Sequence, residues 1–128
     1  MKIAHVALWC RDLERAVTFW EKYFGAVAGA PYASARRPGF VSRFVRLAGG
    51  AELELMSAPW LEEGVSPAVE RPGWAHVAVS MGSEAAVDTL AARLSADGLL
   101  VAAPRHTGDG FYEAVAQDPE GNLVEITA

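Results

Sequence analysis

AHVA, at residues 4–7 of this 128-residue chain, recurs at residues 75–78. A second match follows each copy, LEL at residues 53–55 and VEI at residues 124–126. All four segments are mainly apolar, with valine or isoleucine in most of them, as is typical of strands that line a core. An internal repeat decides the architecture of a chain, so the sequence predicts two copies of one folded module.

Each copy carries one imidazole and one carboxylate at the same spacing. His5 and Glu54 stand 49 positions apart, and 49 positions also separate His76 from Glu125. Two unrelated pairs have no reason to share a spacing, so we interpret the four residues as one candidate metal site. Such a ligand set suits Zn, Ni, Co, Mn or Fe(II) and disfavours Cu(I), and in an octahedral shell it leaves two positions for water or substrate.

The pattern of apolar residues predicts a strand, a helix and three further strands in each half. In the first half a strand covers residues 2–9, and a helix is capped by Asp12 and ended by Gly25. The segments after this helix are residues 29–39 (partly loop), 40–47 (strand), 48–50 (glycine hairpin) and 51–56 (strand). We therefore predict an α+β fold of two tandem βαβββ modules that form an open, curved sheet.

The second half follows the same order after a proline-rich connector. Its first strand covers residues 74–81, and its helix is capped by Ser83 and ended by Gly98. The segments beyond are residues 99–103 (strand), 105–110 (polar loop), 111–117 (strand), 118–121 (turn) and 122–127 (strand). We expect a single domain over residues 1–128, with modules at about 1–57 and 73–128 and a connector at about 58–72.

The amino-acid composition limits which partners and which cellular compartment we expect for this protein. The net charge is −5, and the chain has no basic cluster larger than Arg36-Arg37, so nucleic acid is not the expected partner. The single cysteine, Cys10, has no internal disulfide partner, which fits a reducing cytosol. The chain has no apolar run of 18 residues and no signal-like start. We expect a soluble, cytoplasmic protein that does not bind membranes.

Glu52 competes with Glu54 for the role of ligand. Side chains alternate along a strand, so both glutamates share one face, and parity does not separate them. The 49-residue step holds only for Glu54, which is therefore favoured. On the same reasoning Val124 and Ile126 point away from Glu125, so the ligand face should lie opposite the apolar face under the helices.

Other residues are candidates for contact with a substrate. Arg43 and the pair Arg36-Arg37 suit the anionic tail of a substrate, although exposed arginines are usually only solvated. Trp60 suits a pocket mouth or a subunit interface, and Phe111 begins the strand after the polar loop. His106, in that loop, is either a substrate contact or an ordinary solvated side chain. Cys10 has no nearby histidine or aspartate in sequence that would activate it as a nucleophile, so we interpret it as a packed residue.

The chain resembles the vicinal oxygen chelate superfamily, which includes glyoxalase I, bleomycin-resistance proteins, extradiol dioxygenases, fosfomycin-modifying thiol transferases and methylmalonyl-CoA epimerase. The motifs that carry this resemblance are IAHVA (3–7), RDL (11–13), FWEKYFG (19–25), LELM (53–56), WAHVAV (74–79) and DPEGNLVEI (118–126). The resemblance covers essentially the whole chain. It implies paired βαβββ modules around a divalent metal, and a homodimer whose cup is built within one chain or across two.

The resemblance also implies the ligands His5, Glu54, His76 and Glu125. All four positions are filled, as in compact bacterial glyoxalase I, whereas dioxygenases and fosfomycin enzymes typically lack the first glutamate. The implied activity is a metal-dependent lyase or isomerase of glyoxalase I type that acts on a small carbonyl or a thiol–aldehyde adduct, such as a glutathione adduct. It would form an enediolate with Glu125 as general base and Glu54 as its symmetric partner.

Two alternatives stay open on the sequence. One is a ring-opening dioxygenase or a thiol transferase, which would tolerate loss of Glu54 better than a glyoxalase. The other is a protein that binds a small metabolite or antibiotic without catalysis, which the four tryptophans allow.

Overall fold

The computed structural model describes residues 1–62, 70 and 72–128. The chain divides into two compact units, Met1–Gly64 and Val65–Ala128. The elements of the first unit are β1 (His5–Trp9), α1 (Leu13–Phe24), β2 (Val27–Ala28), β3 (Tyr32–Ala33), β4 (Val41–Arg46) and β5 (Glu52–Ser57). Those of the second are β6 (Val77–Ser80), α2 (Glu84–Ala96), β7 (Leu100–His106), β8 (Tyr112–Gln117) and β9 (Leu123–Thr127).

Both helices begin where the capping residues predict. The Asp12 side chain accepts a hydrogen bond from the Arg15 backbone N–H at 3.0 Å, and Ser83 caps α2 in the same way. Gly25 ends α1 in the left-handed conformation, with φ 62°, which a glycine adopts without a steric penalty. The buried face of α1 consists of Ala16, Val17, Phe19, Trp20 and Tyr23, and that of α2 of Val87, Leu90, Ala91 and Leu94.

The sheet of the first unit has the strand order β1-β5-β4-β2, with β3 also paired to β4. The first and last strands of the unit, β1 and β5, are adjacent and parallel. Leu53 and Leu55 of β5 are buried on the side that α1 covers. Because side chains alternate, Glu54 lies on the opposite face, and the predicted separation of apolar and ligand faces is confirmed.

The sheet of the second unit repeats this arrangement, with the order β6-β9-β8-β7 and a parallel pairing of β6 with β9. Val124 and Ile126 of β9 are buried, at 1% and 0% exposure, on the side that α2 covers. The duplication predicted from the sequence is thus present in the topology, and the α+β fold of two β-α-β-β-β units is confirmed.

The first strand of each unit begins later than the sequence predicts, at His5 rather than at residue 2 and at Val77 rather than at residue 74, so His76 lies just before β6. Two further differences concern later strands. In the first unit, the strand expected after the helix is broken into β2 and β3, which pair with opposite ends of β4. Pro31 lies between the two pieces and has no N–H to donate to a sheet ladder. In the second unit, Arg105 and His106 belong to β7, so the prediction that a polar loop begins at Arg105 is wrong. Register shifts in β7 let its pairing with β8 continue past Pro104.

The predicted connector lies partly outside the described residues, which omit 63–69 and 71. Among the helices of the described segments, neither has the length and apolar character needed to cross a bilayer.

Candidate metal centre

The first candidate pair lies on two adjacent strands of the first unit. Ala7 of β1 is the register partner of Glu54 on β5. His5 lies two residues before Ala7, so its side chain is on the same face as those of Ala7 and Glu54. The His5 Nε2 and Glu54 Oε2 atoms are 3.8 Å apart. The imidazole is 47% exposed and the carboxylate 19% exposed, so both remain accessible within this unit.

The second pair repeats the first at the same offset. Ala78 of β6 is the register partner of Glu125 on β9, as Ala7 is of Glu54. His76 Nε2 lies 3.4 Å from Glu125 Oε2. The 49-residue spacing therefore reflects a real structural equivalence, because in each unit the histidine stands two positions before the register partner of the glutamate.

The spacing of each pair suits joint coordination better than a direct hydrogen bond. Nitrogen and oxygen ligands at about 2.1 Å from one ion lie about 3.0–3.4 Å from each other. The observed separations of 3.4 Å and 3.8 Å are close to that range, and both exceed the usual N–H···O distance. Each unit thus offers a nitrogen and an oxygen donor that fit a divalent cation. Within the described residues, no group of three or more histidine, cysteine, aspartate or glutamate side chains is placed to hold an ion.

Glu125 has a second carboxylate, that of Glu113, on the neighbouring strand. Glu113 of β8 pairs with Thr127, so its side chain stands diagonally across the ladder from Glu125. Arg105 Nη2 donates a hydrogen bond to Glu113 Oε1 at 3.1 Å. Burial raises the pKa of the Glu125 carboxyl, and the nearby Glu113 carboxylate raises that pKa further, while His76 and Arg105 lower it.

Ser42 takes the place of Glu113 in the first unit. It pairs with Met56, two positions beyond Glu54, just as Glu113 pairs with Thr127, two positions beyond Glu125. Both residues are buried polar groups, but only Glu113 carries charge. The two halves are therefore equivalent in their donors and different in the groups that support them.

Comparison with known proteins agrees with this geometry. The sequence profile of the Glyoxalase/Bleomycin resistance protein/Dioxygenase superfamily matches residues 2–126. The chain belongs to this superfamily.

Individual relatives within the superfamily cover nearly the whole chain. The protein PA2024 of Pseudomonas aeruginosa, described as uncharacterized, is 32% identical over 127 residues, which are 98% of this chain and 86% of that protein. The structure of a possible glyoxalase from Bacillus cereus is 30% identical, with a TM-score of 0.72 and coverage of 100% and 99% of the two chains. A glyoxylase/bleomycin resistance protein/dioxygenase domain from Frankia sp. has a TM-score of 0.84 at 18% identity, covering 99% of this chain and 96% of that one. This last likeness concerns the fold.

The predicted substrate contacts occupy different surroundings in this member of the superfamily. Arg43 pairs with Leu55 on the helix side of the sheet, where its guanidinium binds Glu14 Oε2 at 2.7 Å. Because that face lies opposite Glu54, the prediction that Arg43 contacts a substrate held at this pair is wrong. Trp60 is 45% exposed beyond β5, and Phe111 is 51% exposed just before β8.

The remaining histidine and the cysteine have structural partners. His106 Nε2 lies 4.0 Å from Glu84 Oε1, and its ring is stacked at a tilt on Tyr112, with 4.8 Å between centroids. Cys10 is buried, and its thiol donates a hydrogen bond to the Met56 carbonyl at 3.3 Å. These contacts support the interpretation of Cys10 as a packed residue.

Glu113 is the residue of this neighbourhood that the sequence reasoning missed. A usable signal was present, because the turn at 118–121 fixes the hairpin register between the last two strands. Counting back from that turn would have placed Glu113 on the face of Glu125.

Proposed function

We propose that the protein is a divalent-metal-dependent enzyme of glyoxalase I type, which isomerises a small thiol–aldehyde adduct. The observation that carries this proposal is the repeated offset, in which a histidine stands two positions before the register partner of a glutamate and within 4 Å of its carboxylate in each unit. The proposal assigns both pairs to one ion, supplied by one chain or by two copies of it. Two imidazoles and two carboxylates give a neutral complex with a divalent cation such as Ni, Zn, Co, Mn or Fe.

The proposed roles follow from the chemistry of each side chain. A bound ion would supply Lewis-acid stabilisation of the negative charge that develops on the substrate oxygen. His5 and His76 would hold that ion as neutral nitrogen donors. Glu125 would take the proton from the carbon next to the carbonyl and return it to the neighbouring carbon.

Glu125 is a better candidate than Glu54 for moving this proton. In the metal-free protein, burial and the Glu113 carboxylate both raise its pKa, so a Glu125 carboxylate released from the ion would hold a proton more tightly than an ordinary carboxylate does. In the first unit the corresponding neighbour of Glu54 is the uncharged Ser42. We therefore assign the proton transfer to Glu125, in addition to ion binding, and assign ion binding alone to Glu54.

The first experiment measures metal content and activity together. The purified protein is analysed for bound metal, dialysed against Ni or Zn, and assayed with the adduct of methylglyoxal and glutathione. We expect about one ion per site, and we expect Glu125→Gln to lose roughly 10²–10⁴-fold in turnover while it retains metal.

Glu52→Gln is the matched control, because Glu52 shares the face of Glu54 but forms an ion pair with Arg46. It should leave turnover close to that of the parent. A Glu125→Gln variant as active as the parent would refute the assignment of the base.

A second candidate function, binding of a small molecule without catalysis, is favoured by the exposed tryptophans Trp9 and Trp60. Metal content separates the two functions. Protein that contains no ion, and that gains none on dialysis against Ni, Co or Zn, would support the binding function and contradict the enzyme.

The partners that we propose are a small-molecule substrate and a second copy of this chain. Light scattering during size-exclusion chromatography tests the second partner, with a mass near twice the 13.6 kDa of the chain as the expected result.

A further inference from the structure

Three aromatic rings and one guanidinium form an open cluster in the first unit, which we call the Arg37 cluster. The rings of Trp9 and Phe40 meet edge to face, with 6.0 Å between centroids. The Arg37 guanidinium carbon lies 5.3 Å from the centroid of Phe40 and 4.9 Å from that of Trp60. Trp9 and Trp60 are 43% and 45% exposed. The Arg37 cluster therefore presents apolar rings and a positive charge to solvent.

Arg37 differs from the arginines that are neutralised by carboxylates. Arg43, Arg46 and Arg105 each form an ion pair with a glutamate. Within the described residues, the Arg37 guanidinium contacts aromatic rings and forms no ion pair. The rings orient the planar cation without consuming its N–H donors, which stay available to an anionic ligand.

The loop that carries Arg37 is held in place by its backbone. Ser34 Oγ accepts a hydrogen bond from the Arg37 N–H at 3.0 Å, and the Phe40 N–H donates to the Arg37 carbonyl at 3.0 Å. Gly39 has φ +90°, and a Cβ at that position would lie 2.8 Å from the Pro59 ring. This close approach brings the loop against the segment that carries Trp60, so the Arg37 cluster is formed before any ligand arrives.

The Arg37 cluster lies on the same sheet face as the first candidate pair. Trp9 stands four positions after His5 on β1, so both side chains point to one side of the strand. Four strand residues span about 13 Å. A ligand bound to the Arg37 cluster would therefore extend along β1 from the neighbourhood of His5 and Glu54.

We propose that the Arg37 cluster binds the carboxylate of a flat aromatic acid, with the ring packed against Trp9 and Trp60. A single planar guanidinium matches one carboxylate through two parallel hydrogen bonds, whereas a phosphate dianion would call for further cations. This inference rests on the proposed function. The substrate would be an adduct that carries an aromatic carboxylate at the end distant from the reacting carbon.

Metal-free protein provides the test, because it removes any coordination of the carboxylate by an ion. The probes are 2-naphthoate and its neutral analogue 2-naphthamide, titrated by calorimetry after treatment with a chelator. We expect naphthoate to bind about tenfold more tightly than naphthamide. Arg37→Gln should abolish this preference, and Trp60→Leu should weaken the binding of both probes.

Arg36→Gln is the matched control, since it removes an adjacent exposed arginine that contacts no aromatic ring among the described residues. It should keep the tenfold preference. Equal binding of the two probes by the parent, or an equal loss in Arg36→Gln and Arg37→Gln, would overturn the inference. Because no turnover is measured, failure here is distinct from failure of the proposed isomerase, which the metal and activity assays test.

Discussion

Glu113 stands diagonally across the β8–β9 ladder from Glu125 and raises the pKa of that carboxyl, adding to the larger effect of burial. The substitution Glu113→Gln should lower the pKa of Glu125, because it removes the like charge while it keeps the side-chain volume. Carboxyl ¹³C NMR of the metal-free protein during a pH titration measures this shift.

Glu84→Gln serves as the control for Glu113→Gln, since Glu84 is an exposed residue of α2 with His106 as its neighbour. The Glu125 pKa should be unchanged in this variant. If the Glu125 pKa were the same in Glu113→Gln as in the parent, Glu113 would have no part in raising it.

The two candidate ligand histidines, His5 and His76, should both contribute to the binding of one metal ion. We expect His5→Ala and His76→Ala each to weaken Ni or Zn binding by more than the roughly 10–100-fold that loss of an outer-shell partner costs. His106→Ala should bind metal like the parent, because His106 contacts Glu84 and Tyr112. Calorimetric titration with either metal measures all three variants, and parent-like affinity in His5→Ala would exclude the first unit from the site.

Alanine variants at Gly39 and Gly49 distinguish the cost of backbone strain from the cost of a steric contact. Both have positive φ, +90° and +106°, but only at Gly39 would an added Cβ meet another residue, Pro59. We expect Gly49→Ala to cost about 1–3 kcal/mol of folding free energy through strain alone, and Gly39→Ala to cost more. Urea denaturation measures both losses, and equal values would show that Pro59 moves aside freely.

Asp118 should make stability depend on pH. It is 3% exposed and accepts hydrogen bonds from the Glu120 N–H and from the backbone and side chain of Asn122. Burial nevertheless raises its pKa, so the folded state binds this proton more tightly than the unfolded state does. Its contribution to stability is therefore complete below the ordinary aspartate pKa of about 3.9 and is lost as pH rises through the folded pKa.

Asp118→Asn removes this titration while it retains an oxygen acceptor. The decline of unfolding free energy just above the ordinary aspartate pKa should become shallower in the variant. Urea unfolding at closely spaced values from about pH 4 upward tests this, and parallel pH profiles would contradict the assignment.

Local signals were sufficient to predict most of the fold. Asp12 and Ser83 cap their helices, and Gly25 ends the first one, because these roles depend on hydrogen bonds and dihedral angles within a few residues. The strand ending at His106 was predicted too short, because its continuation past Pro104 depends on pairing with β8, which local composition does not encode.

The sequence predicted the His–Glu pairs of the candidate site but not the contacts of the residues around them. The repeat located both His–Glu pairs, since equal spacing in sequence produced equal register in the ladders. The role of Arg43 was not predictable, because its pairing with Glu14 joins a strand to the helix that precedes it by many residues. The contact of Arg37 with the Trp60 ring likewise depends on segments distant in the chain, which no periodicity reveals. Glu113 differs, because the hairpin register does place it on the face of Glu125.

Each parallel ladder sets the distance between its own imidazole and carboxylate. A substitution in one ladder therefore leaves the donor geometry of the other ladder intact. The donors of one unit can therefore change through substitution while the fold and the donor pair of the other unit are kept. The internal repeat in that sense supplies a second pair of donors together with a second copy of the scaffold.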